Sequence, residues 1–119
     1  MIDLRPDHLE LVKGILARQV PGYEVRAFGS RVTGKAKPHS DLDLVVMTAS
    51  PLPPLRLADL KDAFSDSDLP FRVDVLDWQT LSVEFRAFIE QRYGVVQAAK
   101  PNSAKPQGRG MAGEWVTEE

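Results

Sequence analysis

The stretch from Phe28 to Val46 constrains this chain more than any other. It opens on Phe28-Gly29-Ser30, runs through a basic connection punctuated by Gly34 and Pro38, and closes on Asp41-Leu42-Asp43-Leu44-Val45-Val46. Periodicity alone does not explain that order. A Gly-Ser pair at the end of an apolar run permits positive φ, and the turn of chain after it can start a helix whose free N–H groups face an anion. Downstream, the two-residue period of a strand puts Asp41 and Asp43 on one face and Leu42 and Leu44 on the other. Carboxylates side by side repel unless a cation sits between them. Hard oxygen ligands held this close suit magnesium, which typically takes one or two carboxylates together with substrate phosphates.

The flanking sequence supplies a scaffold. Pro6 is tolerated in a first helical turn, and Leu9, Val12, Leu16 and Val20 recur at helical spacing, so residues 6–19 are predicted to form a helix. Pro21-Gly22 breaks it before an alternating strand over 23–28. After the Asp41–Met47 strand, Leu57, Leu60 and Phe64 mark a helix over about 55–65. Phe71–Leu76 reads as a third strand that sets Arg72, Asp74 and Leu76 on one face. Leu81, Phe85, Phe88 and Ile89 form the apolar stripe of a last helix to about Arg92, which Gly94 ends. The order helix, strand, Gly-Ser helix, strand, helix, strand, helix implies a small α/β domain with one mixed β-sheet and flanking helices.

This is where a resemblance becomes specific. Gly29-Ser30, ten residues (31–40) and then Asp41-Leu42-Asp43 resembles the signature of the nucleotidyltransferase superfamily that includes DNA polymerase beta, above all its minimal nucleotidyltransferase (MNT) branch. Gly34 and Ser40 fall where that branch has them, and the resemblance covers roughly residues 8–95. It implies a polymerase-beta-like palm and a third carboxylate on a later strand, which Asp74 supplies. Asp41, Asp43 and Asp74 are then the expected catalytic, metal-holding residues for two Mg2+ ions. Gly29, Ser30 and Arg31 are the expected contacts to the nucleotide, with ATP as substrate. Other polar residues read as structural: His8 as surface, His39 as a solvated neighbour of the acidic pair, Asp66-Ser67-Asp68 as a turn and Asp77 as a helix cap.

Composition narrows the acceptor. At 119 residues the chain makes one domain. It is divided here into a nucleotidyltransferase domain over 1–97 and a tail over 98–119, too poor in apolar residues to order itself, where Trp115 is a candidate partner anchor. It has no cysteine, which excludes disulfides, thiolate metal sites and a cysteine nucleophile. No apolar run approaches the ~18 residues that span a bilayer, and the expected location is the cytoplasm. A net charge of −2 without a basic stripe disfavours nucleic acid, while Arg31, Lys35 and Lys37 beside the motif suit one nucleoside triphosphate. Nearly all the ordered length goes into the nucleotide domain, leaving no enclosed pocket for a small acceptor and pointing to a protein. The MNT resemblance implies which one: a HEPN ribonuclease toxin, whose tyrosine hydroxyl receives AMP from this chain acting as its antitoxin. Two alternatives stand beside it, an antitoxin that neutralises by covering the toxin and a small-molecule transferase of the aminoglycoside-modifying kind.

Overall fold

The computed structural model describes residues 2–100. The predicted tail beyond Lys100, Trp115 included, lies outside them. Helix α1 (Pro6–Gln19) starts on a proline and buries Val12, Ile15 and Leu16. There follow β1 (Glu24–Phe28), the single-turn α2 (Ser30–Thr33), β2 (Leu42–Met47), α3 (Pro54–Ser65), β3 (Val73–Asp77), α4 (Val83–Gln91) and β4 (Gly94–Gln97). The sheet order is β3-β2-β1-β4. Strand β1 pairs antiparallel with β2 and with β4, whereas β2 and β3 run parallel, joined through α3.

The sheet is covered unequally on its two faces. On one, Val12, Ile15 and Leu16 of α1 and Leu60 and Phe64 of α3 close over Val25, Ala27, Leu42, Leu44, Val46 and Val75. On the other, a smaller cluster joins Phe28, Val45 and Ile89, with Met47, Leu76, Trp78, Leu81 and Phe85 packed against it. Strand alternation puts Asp43 on the same face as Val45, and Asp74 on the same face as Leu76. The acidic residues therefore lie on the thinly covered face, beside α4.

Two expectations need correction. The region around Gly94 does not only stop a helix: Gly94–Gln97 is a fourth strand, held by pairing to β1. Val96 is buried there, and the Gln97 side-chain amide donates to the carbonyls of Val20 and Tyr23 at 2.9 and 2.8 Å. The last helix is also shorter than its apolar stripe suggests. Ser82 caps it, its Oγ accepting from the Phe85 N–H at 3.1 Å, so Leu81 lies ahead of the helix.

Candidate active site

Register brings the acids together. Asp43 of β2 is directly opposite Asp74 of β3, and Phe28 of β1 is opposite Asp43 on the other side. Asp41 lies just before β2, where the Leu42 N–H donates to the Arg72 carbonyl at 2.9 Å and fixes its approach. Gly29 follows Phe28 with φ 83° and ψ −153°, a region open essentially only to glycine. A Cβ there would lie 2.5 Å from Asp43 Oδ2, so glycine is required twice, by its conformation and by the carboxylate beside it. Gly29 is also the residue that caps α2. Ser30 is its first helical residue.

Electrostatically the site is unbalanced. Burial pushes the Asp43 carboxyl up from its ordinary value, Asp74 and Asp41 add to the rise, and Arg72 opposes it. None of these influences is a hydrogen bond to the Asp43 carboxylate. The Arg72 guanidinium lies 3.3 Å from Asp41 Oδ2 and 3.4 Å from Asp74 Oδ2, on an exposed side chain. Among the described residues no three acidic, His or Cys side chains are gathered closely enough to hold a metal ion as they stand. The donor set is nevertheless one that a hard divalent cation fits: oxygen ligands on adjacent strands, mutually repelling, with an arginine already drawn between two of them.

A cleft of about 880 Å³ opens over this cluster, lined by Gly29, Asp43, Arg72 and Asp74 and walled by Lys61 and the aromatic pair Phe85 and Phe88. The two rings stack at 5.8 Å and 11°. Their spacing reads as a core stripe, but α4 gives the core position to Ile89, and Phe88 stands 54% exposed at the cleft. Phe88 and Lys61 are cleft residues that no sequence pattern singles out, whereas strand alternation already put Arg72 on the face of Asp74, and the structure brings the two side chains into contact.

Residues 9–101 match the nucleotidyltransferase domain family. The chain belongs to that family. It is 50% identical over 105 residues to a Haemophilus influenzae chain named probable protein adenylyltransferase MntA, covering 88% of this chain and 92% of that one. A crystal structure of a toxin–antitoxin with AMP-PNP shares its fold, at a TM-score of 0.65 and 20% identity, covering 79% of this chain and 76% of its counterpart. A complex of tri-AMPylated Shewanella oneidensis HEPN toxin with MNT antitoxin does so at 0.55 and 19%, covering 80% and 76%. The polymerase-beta-like palm expected from the motif is thus the fold observed.

Within this nucleotidyltransferase domain, Arg31 is not where a phosphate contact needs it. It is 6% exposed. Its Nε donates to the Ser40 carbonyl at 3.0 Å, Nη1 to Asp3 at 2.9 Å, and Nη2 to Pro38 and Ser40 at 3.1 and 2.8 Å. The guanidinium lies 4.4 Å from the centre of the Phe71 ring. With four donor contacts to carbonyls and one face on an aromatic ring, Arg31 shapes the connection leading into Asp41 and does not line the cleft over Asp43 and Asp74. Lys35, Lys37 and His39 are exposed. His8 is half-buried, edge-on to Phe71 at 5.7 Å, so it is not the free surface residue its position suggests. Asp77 does cap the turn after β3, accepting from the Gln79 N–H at 3.0 Å, and it also binds the loop after β2. No helix among the described residues is long and apolar enough to cross a membrane.

Proposed function

We propose that this nucleotidyltransferase moves AMP from ATP to a tyrosine hydroxyl of a cognate HEPN ribonuclease toxin in the cytoplasm and so serves as its antitoxin. The observation that carries the reading is the register pairing of Asp43 with Asp74 beside Gly29 at the floor of an open cleft. Identity of 50% to a protein named an adenylyltransferase, and a shared fold with an antitoxin seen on an AMPylated toxin, support the choice of nucleotide and acceptor. The cleft is open, as a site must be when its acceptor arrives on the surface of another protein.

The chemistry is an in-line displacement at the α-phosphorus. The acceptor oxygen forms the new P–O bond, the bond to the bridging oxygen of the β-phosphate breaks, and pyrophosphate leaves with that electron pair. Asp41, Asp43 and Asp74 are the residues that would hold two Mg2+ ions, whose charge, when bound, stabilises the attacking and leaving oxygens. Asp74, on the edge strand and 44% exposed, is the carboxylate best placed to take the hydroxyl proton. Gly29 and Ser30 hold the departing phosphates through N–H groups and the Ser30 hydroxyl. The adenylyl group left on the toxin's tyrosine then adds negative charge and bulk where RNA must bind.

The test is intact-mass spectrometry of the toxin after incubation with this chain, ATP and Mg2+. The expected result is a gain of AMP units with loss of ribonuclease activity, and neither with Asp43→Asn. Neutralisation without mass gain, surviving in Asp41→Ala, would replace transfer with simple covering of the toxin.

A further inference from the structure

We propose that Arg72 is a tethered counter-ion, bridging Asp41 and Asp74 in the metal-free protein and obliged to leave both before a divalent cation can occupy them. The inference rests on the reading of Asp41, Asp43 and Asp74 as metal ligands and goes beyond it, because it assigns a role to a residue outside that set.

Three observations carry it. Arg72 precedes Asp74 by two residues, so strand alternation aims both side chains at the same face, and its backbone is pinned because its carbonyl accepts the Leu42 N–H at 2.9 Å. A single nitrogen, Nη2, approaches Asp41 Oδ2 at 3.3 Å and Asp74 Oδ2 at 3.4 Å, so the guanidinium stands between two of the carboxylates that a metal would draw together. Although Asp43 and Asp74 are in register, no three acids among the described residues converge on a common point, as expected when a planar group is wedged among them.

The wedge is weakly held. Both contacts are long, and the side chain is 71% exposed, where ion pairs contribute little. A divalent cation, compact and doubly charged, displaces it. The freed guanidinium remains on a stem rooted two residues from Asp74, inside the cleft that admits the triphosphate, where phosphate oxygens replace the carboxylates it has lost. Metal and nucleotide therefore each remove an obstacle to the other. Metal affinity in the absence of nucleotide is lower than the carboxylate set alone permits.

The experiment is a Mn2+ titration of the full chain without nucleotide, followed by electron paramagnetic resonance of the free ion. Arg72→Gln is expected to bind Mn2+ about fivefold more tightly than wild type, the gain released by two exposed ion pairs. Lys61→Gln removes a cleft cation that takes no part in the Asp41–Arg72–Asp74 contacts, and is expected to change the affinity less than about twofold. Equal gains in the two variants would assign the effect to general charge and overturn the bridge. Weakened binding in Asp43→Asn with no gain in Arg72→Gln would overturn the Arg72 proposal alone, whereas wild-type affinity in Asp43→Asn would overturn it together with the metal-site reading. Arg72→Met, which keeps the apolar stem, gives the same comparison should glutamine lower stability.

Discussion

Strands β2 and β3 run side by side from Leu42 opposite Val73 to Val46 opposite Asp77, and the two ends of that pair treat acid in opposite ways. At one end Asp77 is 3% exposed and its carboxylate is surrounded by donors: the Thr48 hydroxyl at 2.5 Å, the Leu52 N–H at 2.6 Å and the Gln79 N–H at 3.0 Å. At the other, Asp43 is half-buried against Asp74 and Asp41, with Arg72 as the one opposing charge. Both acids stand on the same two strands of a single sheet. A carboxylate supplied with hydrogen bonds fastens loops, whereas one supplied with other carboxylates is left needing a cation, and that need is what chemistry can use.

The widest separation between the two ends is expected in activity. Asp43→Asn should cut AMP transfer about a thousandfold or more, the scale of losing several kcal/mol of charge stabilisation, while Asp77→Asn loses activity only as far as it loses fold. Comparable kcat losses in two folded variants would collapse the distinction. Stability should show the reverse pattern. Asp77→Ala strands the Thr48 hydroxyl and the Leu52 N–H and should cost roughly 3 kcal/mol, about 12 °C or more in a thermal melt, against roughly 0.5 kcal/mol for Asp74→Ala.

A smaller effect, at the acidic end alone, tests the close approach of backbone to carboxylate. Gly29→Ala meets both a glycine-only conformation and the Asp43 carboxylate, and should cost about 1–3 kcal/mol in chemical denaturation along with most transfer activity. An active, fully stable Gly29→Ala would show that the turn can be rebuilt.

The smallest effect carries a sign. The Asp43 carboxyl is raised above its ordinary value of 3.8, so its ionised form opposes folding. That cost is absent below the ordinary value, where folded and unfolded chains are both protonated, and grows as pH rises through the folded value. In EDTA, Asp43→Asn should therefore melt roughly 1–3 °C above wild type near pH 7, after allowance for solvent screening, and lose the advantage in acid. A constant difference across pH would mean that repulsion is not its source.

How much of this was legible depended on whether a residue's meaning is local. Helices α1 and α3 and strands β1, β2 and β3 carry their own periods, and alternation alone places Asp74 on a face that can meet Asp43. Strand β4 has two valines and no period. What makes it a strand is β1, which is distant in sequence, together with the Gln97 amide reaching back to Val20 and Tyr23. The carbonyl partners of Arg31 were illegible for a related reason: a guanidinium beside a phosphate motif serves a carbonyl cage equally well, and one of its partners, Asp3, is 28 residues away. On α4, Phe88 and Ile89 point about 100° apart within one apolar stripe, and only packing decides that Ile89 is buried while Phe88 stands exposed.

Arg31 has one more consequence, for the way the molecule comes apart. Its carbonyl partners lie before α1 and in the connection that leads to Asp41, and its aromatic partner precedes β3. Three stretches that would otherwise fray independently are tied at one point. The connection over 35–40 has the composition of a loop, yet it should be released only when the tie around Arg31 gives way, and amide exchange at Ser40 should be as slow as that of the strands it adjoins.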